Sequence, residues 1–240
     1  MKRELAGKDP DDFLPLARAV GQLPHGTVGE CIFEDMRSGT GRFSEKILSY
    51  MEESKLVPLD ADICISGFRL TGRIDAIYPE RLIKYRYTRI KPKDLLNIWF
   101  QHLFLNSIVA DHYPRISMLA GLSPKGKELQ WVAYEFPPVE NSKEILENLL
   151  ENYWAGLVMP LHFFPRSSWD YAQLVLVKGK PLEDALEKAH STWMGNAFTS
   201  GERDDAYYQL CFGNTDPLDS EFQDIAEEVF GPLLEHQKEI

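Results

Sequence analysis

The stretch Gly72–Lys93, GRIDAIYPERLIKYRYTRIKPK, constrains the fold more than any other. Its pattern predicts a strand carrying one acid, Asp75, then a turn at Pro79-Glu80, then a second strand over Arg81–Thr88. Residues i and i+2 of a strand share a face, so Lys84 and Arg86 point the same way. A metal-dependent hydrolase built on such paired strands needs two carboxylates for the divalent ion and a lysine for the attacking water. Only one carboxylate is available here, and two cations stand opposite it. Spacing alone is equally served by a plain ion pair at the sheet surface.

The charge balance points to a local role for that second strand. The 240 residues carry a net charge of −11, which argues against a free-standing nucleic-acid binder. Residues 202–240 hold eleven acids against two bases, Arg203 and Lys238. Residues 84–93 hold Lys84, Arg86, Arg89, Lys91 and Lys93 with no acid. This basic ribbon is the candidate DNA-contacting element. Hydrophobic residues make up 44% of the chain, enough for a sizeable core. The three cysteines, Cys31, Cys64 and Cys211, lack C-x-x-C spacing and are expected as buried or half-buried thiols in a reducing cytoplasm. The charged start MKRELAGKDPDD has no apolar signal core, and no run approaches the roughly 20 apolar residues that span a bilayer. A cytoplasmic protein without membrane contact is the expectation.

Periodicity places the remaining elements. Residues 11–20 predict a short turn or helix. Thr27 with Glu30 predicts a capping box and a helix over about 28–37, ended by Ser38-Gly39-Thr40-Gly41, and a second helix follows over 43–53. From Ile63 the period becomes two, predicting adjacent strands joined near Leu70–Gly72. Pro92-Lys93-Asp94 opens an apolar helix to about 110, with Trp99, Phe100 and Phe104 expected in the core. Strands are predicted at 115–120 and 129–136, joined by the turn Ser123-Pro124-Lys125-Gly126. A helix follows over 141–155, and the rest is mostly helical, at about 167–178, 181–194, 204–211 and 219–235. The strands read as an antiparallel-looking meander, and the whole as α/β or α+β with one main sheet.

Other chemistries find no support. The six histidines show no i, i+4 pair and no H-E-x-x-H, and neither G-x-S-x-G nor a P-loop is present. Glu202-Arg203-Asp204-Asp205 reads as an acidic helix start rather than a cation site. No cofactor and no metal ligand set is expected.

Several strings of the C-terminal half carry a family resemblance. They are Tyr153-Trp154-Ala155-Gly156-Leu157, Phe163-Phe164-Pro165-Arg166-Ser167-Ser168-Trp169, Trp193-Met194-Gly195-Asn196, Gly201-Glu202-Arg203-Asp204-Asp205-Ala206-Tyr207-Tyr208 and Phe230-Gly231-Pro232-Leu233-Leu234. With Gly72-Arg73-Ile74-Asp75 and the helix Leu95–Ser107, they make the chain resemble the C-terminal domain of the RecC-type gamma chain of exodeoxyribonuclease V. The resemblance implies a restriction-endonuclease-like (PD-(D/E)xK) α/β domain, a mixed sheet flanked by helices with a helical C-terminal extension. One domain over 1–240 is expected, with the nuclease-like core at 1–155 and the extension at 156–240.

The resemblance also implies loss of catalysis. Where active relatives of that fold carry a metal-binding histidine, this chain has Glu30, in the string Gly26-Thr27-Val28-Gly29-Glu30. Asp75 keeps the first acid, Lys84 takes the place of the second, and Arg86 takes the place of the lysine. Asn97 and Gln101 fall where a Gln-x-x-x-Tyr pair is expected. A lysine at a ligand position repels a divalent ion. Glu30 and Asp75 are expected to be neighbours, with Lys84 and Arg86 supplying the compensating charge. The implied partners are the beta (helicase–nuclease) and alpha (helicase) subunits, with DNA inside the complex. The implied role is subunit assembly and strand guidance in repair and recombination. Two rivals remain: an active magnesium nuclease using Glu30, Asp75 and a further acid that the sequence does not place, and a protein-interaction module with no DNA contact.

Overall fold

The helix that begins at Thr27 does not stop at the Ser-Gly-Thr-Gly run. The structure, a computed structural model, describes residues 13–51, 54–108, 112–123, 129–213 and 215–240. In it a short helix α1 (Phe13–Ala19) precedes α2, one continuous helix over Thr27–Ser49. An interior glycine costs a helix about 1 kcal/mol relative to alanine. At Gly39 the missing side chain leaves room for Tyr87, because a Cβ there would lie 1.9 Å from its hydroxyl oxygen. The two expected helices are therefore one. Residues 11–12, 52–53 and 109–110 of the expected elements lie outside the described residues.

Strands β1 (Leu59–Ile65) and β2 (Phe68–Ile74) form an antiparallel hairpin. Its turn is Ser66-Gly67, not the expected Leu70–Gly72. Both turn residues have positive φ, 48° and 84°, which is the primed two-residue turn whose twist suits a hairpin. Gly72 sits inside β2 instead. β2 ends at Ile74, so Asp75 lies one residue beyond the strand rather than on it.

The expected meander is also corrected. Strand β3 (Leu82–Arg89) runs into helix α3 (Pro92–Ser107), which returns the chain to β4 (Ser117–Leu122) parallel to β3. A parallel pair needs such a crossover, and a buried apolar helix supplies it. Strand β5 (Trp131–Phe136) pairs antiparallel with β4. Of the expected turn between β4 and β5, residues 124–126 lie outside the described ones.

The remaining third is helical: α4 (Ser142–Val158), α5 (Pro165–Ala172) continued by a π turn over Gln173–Val177, and α6 (Leu182–Met194). A two-residue ladder β6 (Gly195–Asn196) and β7 (Thr199–Ser200), a 3-10 turn Glu202–Asp204, α7 (Ala206–Phe212) and α8 (Ser220–His236) follow. The final strand β8 (Lys238–Glu239) pairs with β5, giving the mixed sheet order β3-β4-β5-β8.

Side-chain alternation makes three layers. Every residue of β4 is buried, so the strand is covered on both faces. Met118, Ala120 and Leu122 join Phe43 and Ile47 of α2 in one core. Leu119, between them, joins Leu95, Ile98, Trp99 and Leu103 of α3 in another. The chain is thus mixed α/β, a sheet flanked by helices. Of the three aromatics expected in the core on α3, Trp99 and Phe104 are buried but Phe100 is exposed. The boundary expected near residue 155 is crossed by packing, since Phe230 and Leu233 of α8 and Ala172 of α5 belong to the α3 core. A further core within the helical third gathers Phe164, Tyr171, Trp193 and Phe222. The three cysteines, expected buried or half-buried, are all exposed and unpaired. Among the described residues no helix is long and apolar enough to cross a membrane.

One buried polar group ties α3 to the sheet. His102 is fully buried, with Nε2 3.0 Å from the Pro137 carbonyl oxygen and Nδ1 2.9 Å from Ser117 Oγ. The carbonyl can only accept, so Nε2 donates and Nδ1 accepts from the serine hydroxyl. Burial lowers the His102 pKa to about 4 from an ordinary 6.5. The unfolded chain therefore binds the extra proton first as pH falls. Stability should be full above pH 6.5 and fall as pH drops towards 4, by about 3 kcal/mol at most. His102→Gln should have a flatter melting temperature between pH 6.5 and 4 than the unchanged protein. Equal slopes would show that His102 does not titrate on unfolding.

Candidate functional site

The loop between β2 and β3 folds back on itself at Ala76, whose φ of 58° is in the left-handed region. Ile83 N–H donates to the Ala76 carbonyl, and Tyr78 N–H to that of Arg81. This holds Asp75 beside the start of β3. Lys84 Nζ lies 2.7 Å from Asp75 Oδ1. The hydrogen bond from Lys84 keeps the Asp75 carboxyl below the usual carboxylate range, opposed by partial desolvation. The Asp75 side chain is 70% exposed and that of Lys84 28%, so the pair is at the surface.

The other expected members are elsewhere. Glu30 accepts from Arg18 Nη2 at 2.7 Å, at the start of α2. The expected neighbourhood of Glu30 and Asp75, with Lys84 between them, is therefore corrected: each acid has its own cation. Arg86, expected to reinforce Lys84, instead bonds Asp94. Asp94 is also the N-terminal cap of α3, its Oδ2 accepting from Lys91 N–H at 2.9 Å. Lys84 and Arg86 do share a strand face, but a β-bulge shifts register between Tyr85 and Arg89. On α3, Gln101 Nε2 donates to Asn97 Oδ1 at 2.8 Å, a local i, i+4 pair on the outer face.

This donor set does not fit a divalent ion. An ammonium, that of Lys84, already sits on the Asp75 carboxylate. Among the described residues no three His, Cys, Asp or Glu side chains come together as a metal cluster. Nor does the basic ribbon lie bare. Arg86 is held by Asp94, and Arg89 Nη1 donates to the Ser123 carbonyl at 3.1 Å. Lys91 and Lys93 remain exposed at the α3 N-terminus.

The acidic run 202–205 has a role that spacing did not reveal. Glu202 is buried, and its carboxylate accepts from Arg166 N and Ser167 N at 2.8 Å each and from Ser167 Oγ at 2.9 Å. Those are N–H groups of the first turn of α5, which begin unsatisfied and attract negative charge. Asp204 accepts from Gly201 N–H and Asp205 caps α7 through Tyr207 N–H, both at 2.9 Å. Gly195 and Gly201 let the two chain segments close on each other, because a Cβ on Gly201 would lie 2.3 Å from the Trp193 carbonyl oxygen. The helix-start reading of this run holds, but one of its helices is α5, far away in sequence.

Comparison with known proteins fits this architecture to a family. The RecC C-terminal domain profile matches residues 1–175. The RecBCD enzyme subunit RecC of Escherichia coli (strain K12) is 23% identical over 210 residues, covering 83% of this chain and 18% of that protein. That of Buchnera aphidicola subsp. Schizaphis graminum is 24% identical over 229 residues, 91% of this chain and 20% of the relative. That of Mycobacterium tuberculosis H37Rv is 24% identical over 217 residues, 90% and 19%. The chain spans about a fifth of the length of these curated relatives.

The two ion pairs differ in depth, and so should their energetics. An exposed pair is worth under about 1 kcal/mol, so Lys84→Ala should barely change the melting temperature. The Asp94 side chain is 11% exposed and serves both Arg86 and the α3 cap. Asp94→Ala should cost about 2 kcal/mol or more. Chemical denaturation of both variants checks this order, and a larger loss at Lys84 would reverse it.

Proposed function

The chain belongs to the RecC C-terminal domain family, and from that premise we propose that it is a non-catalytic nuclease-like domain. In this reading the fold is restriction-endonuclease-like, supported by the β3-α3-β4 crossover and by an acid at the end of β2 facing β3. The domain serves an exodeoxyribonuclease V complex in the cytoplasm, in assembly with the beta and alpha subunits and in guiding unwound strands. The relatives' description as RecBCD subunits supports the complex. The single observation that carries the loss of hydrolysis is Lys84 Nζ on Asp75 Oδ1, at the position where a second carboxylate would be needed. Arg86, at the position of the water-orienting lysine, is committed to Asp94. Among the described residues no group of three metal-ligating side chains forms there or elsewhere.

Subunit assembly draws support from the outer side of α4. Tyr153, Trp154, Leu157 and Val158 are exposed, continuing into exposed Met159. Residues four apart lie on one side of a helix, so Tyr153 and Leu157 align, as do Trp154 and Val158. Contiguous exposed apolar side chains at this density mark an interaction surface. Trp154 lies edge-on to Phe68 at 5.9 Å, so the β1–β2 hairpin borders that surface. Of the aromatics expected to form a bare docking face, Phe164 and Trp193 are buried, and Phe163 and Trp169 are half-buried against the α3 core. Trp154 alone of that set is exposed.

The test is direct. Incubation with linear single- and double-stranded DNA in Mg²⁺ or Mn²⁺ should leave the DNA intact. Degradation that disappears in Asp75→Ala would establish an active nuclease and overturn the reading.

A further inference from the structure

Lys91, exposed at the end of the ribbon, meets three cations of the helical third at a cleft that the sequence did not announce. It lies where the start of α3 meets α5, the π turn and α6. Its volume is about 610 Å³, and Lys91, Arg166, Lys178 and Lys188 line it with Trp169 and Tyr134. Lys91 comes from the ribbon; the other three come from the helical third, 75 or more residues later in the chain. In a protein of net charge −11, four cations facing one concavity against a single acid form a local positive field.

The single acid is already occupied. Asp170 Oδ2 lies 3.1 Å from Lys188 Nζ and accepts from Thr192 Oγ1 at 2.5 Å. Neither Lys91 nor Lys178 has a carboxylate within ion-pair distance among the described residues. Arg166 uses one guanidinium N–H on the Ser200 carbonyl, at 3.3 Å. On the adjoining face, Glu202, Asp204 and Asp205 are taken by backbone N–H groups. The wall contributed by Gln173 and Leu174 belongs to the π turn, and such single π turns recur at functional sites.

We propose that this cleft binds the sugar–phosphate backbone of one DNA strand. The inference rests on the strand-guiding reading above and names the surface that does the guiding. Lys91, Lys178 and Arg166, spaced ammonium and guanidinium groups with no carboxylate partner among the described residues, match a row of phosphates. The half-buried Trp169 and Tyr134 supply aromatic surface beside them, as in grooves that hold single strands without regard to sequence.

The experiment uses the whole chain and a fluorescent oligothymidylate, with anisotropy read at two salt concentrations. The unchanged protein should bind, more weakly as salt rises. Lys91→Glu combined with Lys178→Glu should weaken binding at least tenfold. It should also reduce the salt slope by about 0.7 for each phosphate that is no longer neutralised. Both lysines are exposed and unpaired, so the melting temperature should hold. Arg69→Glu combined with Arg73→Glu, on the β1–β2 hairpin, makes the same change in net charge and should leave affinity within about twofold. Unchanged affinity and slope in the lysine variant, or equal losses in both variants, would overturn the cleft while leaving strand guidance standing. If the unchanged protein does not bind the oligonucleotide at all, the strand-guiding reading fails with it.

Discussion

Asp94 is the side chain on which the central frame depends. It binds the Arg86 guanidinium with one oxygen and the Lys91 backbone N–H with the other, so it fixes where β3 ends and where α3 begins. The start of α3 sets its axis over the sheet, and its length returns the chain to β4 in parallel. His102, one face of the same helix, then ties it to Ser117 on β4 and to the Pro137 carbonyl after β5. An arginine at position 86 is thus built into the scaffold. A group engaged in this way holds a helix in place.

A second carboxylate does for the helical third what Asp94 does for the core. Glu202 receives two N–H groups at the head of α5, closing a loop of more than thirty residues. The Phe164 ring, next to that helix start, lies tilted against Trp193 at 4.3 Å and edge-on to Tyr208 at 5.1 Å between ring centres. The family-like strings at 163–169, 193–196 and 201–208 are therefore one structural unit: a capped helix, a glycine-paired turn and an aromatic cluster. Their chemistry is that of a scaffold, and the basic cleft lies along its border with α3.

Local pattern was legible where local physics decides. The helix at Pro92, the strands at 82–89 and 131–136 and the helices of the last third follow from periodicity and caps. The departures occur where a distant contact wins. The Ser38–Gly41 run looks like a helix end until Tyr87 is placed against Gly39. Strand direction was hidden because a helical crossover and a hairpin can join equally apolar strands. Ser66-Gly67 was the hairpin turn, and two positive φ values, rather than alternation, mark it. The exposed thiols had no signal at all, since a cysteine's neighbours in sequence do not report its depth.

At the candidate site the sequence identified the residues but not their partners. Asp75 and Lys84 meet at 2.7 Å, while Glu30 and Arg86 turn to Arg18 and Asp94. Which acid takes which cation is a tertiary fact, set by α2, by the bulge in β3 and by the cap of α3. On the proposed reading, the Lys84 ammonium stands beside Asp75 where a divalent ion would otherwise be held. Calorimetric titration of Mn²⁺ into the protein tests it most directly. No saturable one-to-one heat is expected at millimolar Mn²⁺; a saturable single-site isotherm that Asp75→Ala removes would contradict the claim.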